Sequence, residues 1–274
     1  LLVGLAIKGQ KGDPLLYQSL ESRSTEVGGP FESSGSTSRF ALTEAIVEDN
    51  TFFLNEERAI FSRPDVVEAN GRYFSIFTPG VSFVAAPFYM LGKVWGIQQI
   101  LAYLSTSLFA ILNVFLIYKL TRKLGAGEAA SLLAGFVFLF ATNALSYSLT
   151  FTQHHMSTFL ILVSLLLVMK PVSLVNDALI GILFGIGIFA DVPNLILMLP
   201  IMVYVFFKHF SVKTIKNKIG FKMSLKWAGI LLGLFLTLIP FGYYNRELTG
   251  SYFALPQFIG RAPSYNTDIV ETDS

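Results

Sequence analysis

Residues 100 to 123 read ILAYLSTSLFAILNVFLIYKLTRK, an uncharged apolar run that ends in a basic cluster at Lys119, Arg122 and Lys123. A helix needs about 20 apolar residues to cross the roughly 30 Å hydrocarbon core of a bilayer, and this run is long enough. Two further uncharged runs have the same character, Ala129–Gln153 and Trp227–Asn245. Backbone polar groups inside lipid must bond within their own segment, so we expect all three runs to be helical.

The composition of the whole chain agrees with this expectation. Of its 274 residues, 53% are hydrophobic and only 14% are charged, and the mean hydropathy is +0.59. An average soluble domain carries more charge, so we predict an all-α, multi-pass protein of the cytoplasmic membrane with no nucleic-acid partner. The chain has no cysteine, which excludes disulfides and thiolate metal sites.

The distribution of charge predicts an orientation. The stretch Lys208–Lys226 carries six lysines and no acid, and residues 119–123 are also basic. Cytoplasmic segments are enriched in Lys and Arg, so we expect both on the cytoplasmic side. The segment Lys8–Gly80 has eleven acidic and seven basic residues, a net charge of −4, and we expect it outside.

These anchors divide the chain into four predicted parts. Residues 1–7 are read as the end of a truncated transmembrane helix, and residues 8–97 as an extracytoplasmic loop with amphipathic and re-entrant segments. Residues 98–246 are predicted to form a transmembrane bundle with a broken helical hairpin at 178–207. Residues 247–274 are either an extracytoplasmic tail or the start of a missing region.

Local patterns refine the predicted extracytoplasmic loop. Residues 22–38 are rich in Gly and Ser and are predicted to be flexible. In Arg39–Glu48 the apolar residues recur at near-helical spacing, which predicts an amphipathic helix lying on the membrane surface. Residues 73–92 are apolar but interrupted by Pro and Gly, which indicates a re-entrant or interfacial segment.

Two patterns concern the predicted bundle. The segments GILFG at 181–185 and GILLG at 229–233 predict close helix packing through small residues. The hairpin is interrupted at Asp191, which either caps its second half-helix or, if the tip reaches the outer pocket, contributes to substrate binding.

A polar island, SLTFTQHHMSTF at 148–159, lies between two apolar runs, and the predicted path places it on the outer face. Polar groups at that depth are costly unless they pair or line a wet cavity, so they are candidate site residues. The candidates from the island and from the end of the last run are Gln153, His154, His155, Tyr244 and Arg246. The two histidines point about 100° apart on a helix, so one at most faces the site, and we favour His155 slightly.

The island supplies no metal motif. Adjacent histidines lack the i, i+4 spacing that places two metal ligands on one helix face, and no Glu accompanies them. No cofactor is therefore indicated, and a divalent metal has no support from the sequence.

Several stretches resemble the GT-C class of integral-membrane glycosyltransferases, closest to bacterial and archaeal protein mannosyltransferases and the aminoarabinose transferase of lipid A. They are STSRFALTEAIVEDNTFFL at 36–54, PDVVEANGRYFSIFTPGVSFVAAPFYMLG at 64–92, the 148–159 island, GILFGIGIFADVPNLILMLP at 181–200 and PFGYYNRELTGSYF at 240–253. The resemblance covers most of residues 36–260. It implies a helical bundle that transfers a sugar from a polyprenyl-phosphate donor to an acceptor hydroxyl of a protein or glycan, with inversion.

The resemblance also implies roles for individual residues. Asp65 matches an acidic position of the relatives and becomes the first choice for the general base, with Glu32 second. Ser36–Ser38 stand where many relatives carry an acid. Arg39, with the island residues, Tyr244 and Arg246, would hold the lipid phosphate as negative charge develops.

Other interpretations stay open at this point. Asp65 could be a turn-forming acid after Pro64, and Arg39 could be an interfacial residue whose head reaches water. At the level of the whole protein, the alternative is a membrane protein that binds or transports lipid or polyprenyl-linked sugar without catalysis.

Overall fold

The computed structural model of the chain describes residues 6–9, 29–215 and 218–259. It is mostly helical, which confirms the all-α class. The helices are α1 (Ser34–Glu48), α2 (Glu56–Phe61), α3 (Gly80–Lys93), α4 (Gln98–Lys123), α5 (Glu128–Phe140), α6 (Ala144–Ser148), α7 (His154–Val168), α8 (Leu174–Ala190), α9 (Asn194–Lys208), α10 (Ala228–Thr249) and α11 (Pro256–Ile259). The expected helix end at residues 1–5, the segment 10–28 and the tail from 260 lie outside the described residues.

Two helical stretches of the described chain are long and apolar enough to cross a membrane, Gln98–Lys123 and Leu225–Thr249. Four further apolar helices have 10–17 residues, namely α5, α7, α8 and α9. By length and composition the two long helices indicate association with a membrane.

The predicted run Ala129–Gln153 is not one helix, which corrects the expectation from hydropathy. Helix α5 ends at Phe140, and the short α6 and an irregular stretch separate it from α7. Thr142 explains the break, because its hydroxyl donates to the carbonyl of Phe138 and accepts from the amide of Ala144. Side-chain hydrogen bonds of this kind give the backbone an alternative to continued helix.

The segment before α3 forms a small cap on the helices. Strands β1 (Val66–Ala69) and β2 (Arg72–Ser75) pair antiparallel around a two-residue turn at Asn70 and Gly71. Both turn residues have positive φ, 54° and 70°, as a type I′ hairpin requires and as Asn-Gly favours. Val67 and Phe74 face each other across the strands and are both buried, and Val66 is buried on the opposite face of the hairpin.

Helix α1 lies in the core, so the predicted surface helix at Arg39–Glu48 is wrong in its placement. The ten residues from Ser36 to Ala45 are all buried. Hydrogen bonds accommodate the polar members, such as those from Ser38 Oγ to the carbonyl of Asp65 and from Thr43 Oγ1 to the carbonyl of Arg39. The helix begins at Ser34, so residues 34–38 are helical rather than flexible.

An ion-pair cluster fastens α2 to α1. The Nε of Arg58 lies 2.9 Å from Glu44 Oε2, and its Nη1 contacts Asp49. Burial alone would lower the pKa of Arg58, but hydrogen bonds and attraction to Glu44 and Asp49 raise it above its ordinary value. The tyrosine hydroxyl of Tyr89 on α3 lies 3.4 Å from the other oxygen of Glu44 and ties a third helix to the cluster.

Helices α8 and α10 pack closely, as the glycine segments predict. A Cβ at Gly181 would lie 2.1 Å from the carbonyl oxygen of Ile230, and one at Gly233 would lie 2.0 Å from that of Ala178. Only glycine allows the two backbones to approach this far, and the predicted packing through small residues is confirmed.

The lysine-rich stretch forms a second hairpin at the far end of α9. Strands β3 (Phe210–Ile215) and β4 (Lys218–Met223) pair antiparallel. Beside this hairpin, His209 Nε2 lies 3.4 Å from Asp177 Oδ2, and Lys208 donates to the carbonyl of Lys170. These contacts hold the end of α9 to the beginning of α8 and the end of α7.

Candidate functional site

The polar island meets the tip of the α8–α9 hairpin. Gln153 Nε2 donates a 3.0 Å hydrogen bond to Asp191 Oδ2. One turn further along each element, Asn194 Nδ2 donates to Ser157 Oγ at 2.8 Å and to the carbonyl of Gly187 at 2.9 Å. The start of α7 is therefore fixed to the connection between α8 and α9 by side chains rather than by backbone pairing.

A cavity of about 570 Å³ opens beside this junction. Its wall combines polar groups of the island and the hairpin tip with apolar side chains of α5 and α7, and it includes Gln153, His154, Ser157, Asp191, Asn194 and Phe138. A carboxylate, an imidazole and two amides thus face one space, which suits a ligand with several hydroxyl groups.

The two histidines of the island have different environments. His155 is 4% exposed, with its Nε2 2.7 Å from the carbonyl oxygen of Ala144 and its Nδ1 3.3 Å from Asn113 Nδ2. His154 is exposed, and its ring centroid lies 4.2 Å from that of Tyr147. Both histidines line the polar cavity, and because Asn113 and the Ala144 carbonyl contact both ring nitrogens of His155, we carry His154 forward beside His155 as a candidate site residue.

Arg39 is a buried cation next to two carboxylates. The residue is 3% exposed, its guanidinium carbon lies 3.7 Å from the ring centroid of Phe77, and its Nη1 donates to the carbonyl of Gly35 at 2.9 Å. Burial lowers the pKa of the Arg39 guanidinium to about 10, and the charges of Asp191 and Asp65 oppose that lowering. Its Nε is buried without a hydrogen-bond partner among the described residues.

Asp65 lies at the start of β1 and is half-buried. Two hydrogen bonds fix the position of its backbone. Its carbonyl accepts from Ser38 Oγ at 2.6 Å, and its amide donates to the carbonyl of Ser62 at 2.8 Å. The carboxylate is close enough to Arg39 to affect its pKa. Glu32, the second candidate, is exposed two residues before α1 begins.

Tyr244 and Arg246 are placed apart from the polar cavity, contrary to the expected convergence of all candidates. Tyr244 is 1% exposed, and its ring packs on Phe52 with centroids 5.1 Å apart. Arg246 is exposed and binds Tyr252 through its guanidinium. Both residues lie on α10, whose orientation is set by its packing on α8 rather than by the polar residues near its end.

A second cavity, of about 540 Å³, lies on the α10 side of the same hairpin tip. It is lined mainly by apolar side chains, among them Ile188, Val192, Leu195, Phe241 and Phe253, with Asn245 and Tyr252 as its polar members. Val192 faces this apolar cavity, whereas its neighbour Asp191 faces the polar one. The tip thus separates a polar space from an apolar space.

Two buried amides were not identified from the sequence. Asn113, in the middle of α4, is fully buried and donates to the carbonyl of His155 at 2.9 Å. Asn194 is 1% exposed at the start of α9. The sequence could have identified Asn113, because an amide side chain inside a long apolar run must find a polar partner on another helix.

Among the residues that the structure describes, no three His, Asp or Glu side chains are grouped as metal ligands would be. No protein-family model, curated protein or solved structure matches the chain.

Proposed function

We propose that the protein is a membrane-embedded glycosyltransferase that moves a sugar from a polyprenyl-phosphate donor to an acceptor hydroxyl of a protein or glycan at the outer face of a cytoplasmic membrane. The observation that carries the proposal is the buried Arg39 guanidinium, held between the Phe77 ring and the Gly35 carbonyl, with the carboxylates of Asp65 and Asp191 near enough to act on its charge. Transfer from a lipid phosphate needs a base for the acceptor proton and a fixed cation for the departing phosphate, and this cluster contains both.

The two cavities support a donor with a polar head and an apolar tail. The polar cavity offers Gln153, His154 and Asp191 to the hydroxyl groups of a sugar. The apolar cavity lies directly across the hairpin tip and has the character needed for an isoprenoid chain. A lipid-linked sugar lying across the tip would have each part in a matching environment.

The exposed surface of the helices supports embedding in a membrane. On α10 the exposed side chains include Leu231, Leu232, Phe235, Leu236 and Ile239, which are 52% to 67% exposed. A contiguous apolar surface of this kind marks contact with lipid or with another protein. Together with the length of α4 and α10, it favours a bundle in which the shorter helices complete the membrane domain.

In this proposal Asp65 is the general base and Arg39 holds the phosphate. A base must lie within hydrogen-bond reach of the acceptor hydroxyl, and Asp65 is held by its backbone while its carboxylate stays half-buried. Phe77 and Gly35 restrict the Arg39 side chain, and its Nε has no hydrogen-bond partner among the described residues, so a donor is left for a phosphate oxygen.

Purified protein in vesicles, supplied with polyprenyl-phosphate sugars carrying a radiolabelled sugar and with candidate acceptors, tests the proposal. Wild-type protein should transfer label, and Asp65→Asn should reduce transfer by about 10²-fold or more, as expected for loss of a general base. The matched control is Glu57→Gln, an exposed acid on α2 in the same loop. Binding of the donor without transfer by wild-type protein would instead favour a lipid-sugar binding or transport protein.

A further inference from the structure

The hairpin of β3 and β4 has two chemically different faces. Residues directly opposite each other in an antiparallel pair share a face, and so do alternate residues of one strand. The register gives one face six residues without charge, namely Phe210, Val212, Thr214, Ile219, Phe221 and Met223. The other face carries every lysine of the two strands, Lys213, Lys218 and Lys222. A two-stranded hairpin is only marginally stable by itself, so its uncharged face needs a surface that covers it.

An apolar pocket between α9 and α10 continues the uncharged face. Phe210 is 40% exposed at the start of β3, and its ring centroid lies 5.0 Å from that of Phe206 and 6.3 Å from that of Phe207. These two rings of α9 also line a cavity of about 370 Å³, whose other hydrophobic side chains include Met202, Trp227 and Leu231. The uncharged surface therefore extends from the hairpin to the beginning of α10.

The position of the hairpin in the chain places it at the edge of a bilayer. Strand β4 ends at Met223, and the stretch Leu225–Thr249, long and apolar enough to cross a membrane, begins two residues later. Helix α9 begins at Asn194, beside the Asp191 tip, and ends at Lys208, just before β3. The hairpin thus lies where the chain enters the hydrocarbon core, at the end of α9 opposite the polar cavity.

Charge indicates which surface covers the hairpin. The stretch Lys208–Lys226 has six lysines and no acid, and a cationic segment beside a membrane-spanning helix is attracted to anionic lipid headgroups. An amphipathic element at this boundary lies with its apolar face towards the acyl chains and its lysines at the level of the phosphates. A neutral lipid matches the pocket but leaves the lysines without counter-charge. Acyl chains also surround the start of a spanning helix, which favours lipid over an acidic protein.

We propose that the β3–β4 hairpin is an interfacial element that selects anionic phospholipids. Its uncharged face and the α9–α10 pocket contact acyl chains, while the lysine-bearing face lies level with the lipid phosphates. The proposal rests on the membrane embedding that is part of the proposed function, but it does not depend on glycosyl transfer.

Quenching of Trp227 by brominated lipids tests the proposal, because tryptophan occurs only at positions 95 and 227 and Trp227 lines the pocket. The Trp95→Phe protein is placed in phosphatidylcholine vesicles that contain phosphatidylglycerol or phosphatidylcholine with brominated acyl chains. Brominated phosphatidylglycerol should give the same quenching at about one-fifth of the mole fraction, the effect expected from one lysine near an anionic surface. High salt should abolish this preference, because it screens exposed charges.

Two triple variants in the Trp95→Phe background locate the preference. Lys213→Gln with Lys218→Gln and Lys222→Gln should make the two lipids quench equally. The matched control removes three exposed cations from the end of α4, through Lys119→Gln, Arg122→Gln and Lys123→Gln, and should keep the preference. The salt measurement uses protein with all its lysines, so it decides the question even if the first variant does not fold.

Equal quenching by the two lipids at low salt, or equal loss in the two triple variants, overturns the proposal. Quenching by neither lipid would mean that Trp227 lies outside the membrane, and membrane embedding and the proposed function would fail together with this inference. A lipid preference without sugar transfer would refute glycosyl transfer alone.

Discussion

The side-chain amide of Gln153 and the carboxylate of Asp191, 38 residues apart in sequence, form a 3.0 Å hydrogen bond that joins the polar island to the hairpin tip. This bond joins the residue before α7 to the connection between α8 and α9. It also places Asp191, first considered as a helix cap, on the wall of the polar cavity.

A double-mutant cycle should detect the coupling between these two residues. Gln153→Ala and Asp191→Ala are each expected to destabilise the folded protein, and their coupling energy should be about 1.5–3 kcal/mol, the range for hydrogen bonds to charged groups. Thermal or denaturant unfolding in detergent micelles measures it. The control pair combines Gln153→Ala with Glu57→Ala on α2, where additive effects are expected. Additivity between 153 and 191 would show that the bond is not formed.

The two adjacent histidines should respond differently to truncation. His155→Ala removes a buried ring that lies between Asn113 and the carbonyl of Ala144, so it should lower the free energy of unfolding by roughly 2–3 kcal/mol. His154→Ala should leave stability within about 0.5 kcal/mol, because His154 is exposed. Sugar transfer by the His154 variant should fall by about tenfold, the effect of losing roughly 1.4 kcal/mol of transition-state binding. The opposite pattern would favour His155 as the site residue.

Close packing of α8 on α10 predicts that even one methyl group is harmful at Gly181. A Cβ at this position would lie 2.1 Å from the Ile230 carbonyl oxygen, so Gly181→Ala should cost about 3 kcal/mol of stability or prevent folding. Gly127→Ala is the control, since a Cβ there meets nothing within 4 Å. Thermal unfolding of both variants in micelles provides the comparison. Equal stability would mean that the two helices are further apart than described.

The Arg58 cluster predicts a loss that a second substitution partly reverses. Arg58→Met leaves the Glu44 carboxylate buried without its cation and should cost about 3–5 kcal/mol, whereas the double variant with Glu44→Met should cost less. A double variant as unstable as Arg58→Met alone would show that the carboxylate is not the source of the loss.

The same cluster predicts how protonation of Arg58 affects the free energy of unfolding at different pH values. The pKa of Arg58 is raised in the folded protein, so its charge contributes fully at every pH below the ordinary pKa of arginine. That contribution is lost only as the pH rises through the higher folded value. Titration of Arg58 should therefore not change the free energy of unfolding between pH 5 and 9. Over this range, plots of the free energy of unfolding against pH should run parallel for wild-type and Arg58→Lys protein.

Hydropathy predicted the helical class and the long helix α4 well, because a long uncharged run leaves the backbone few ways to satisfy its polar groups except a helix. The glycine segments likewise predicted the contact between α8 and α10. The run Ala129–Gln153 was misread because Thr142 ends α5 through local hydrogen bonds that an average over apolar residues does not detect.

The candidate site was predicted in part. Gln153, His154 and His155 line one cavity with Asp191, whereas Arg39 and Asp65 are not among its lining residues, although the charges of Asp65 and Asp191 act on Arg39. Tyr244 and Arg246 lie elsewhere. The two histidines differ in burial because the face of α7 that carries His155 packs on α4.

The sequence by itself determined the helical class, the long apolar helices, where charge accumulates and where small residues permit close approach, since these follow from the solvent and backbone preferences of each segment. Only the tertiary structure decided that α1 is buried, that Asp191 meets Gln153 and that the hairpin tip divides a polar cavity from an apolar one. Those outcomes depend on the rotation and depth of every helix relative to its neighbours. They are set by the sum of many weak contacts between residues distant in sequence, which no single segment encodes.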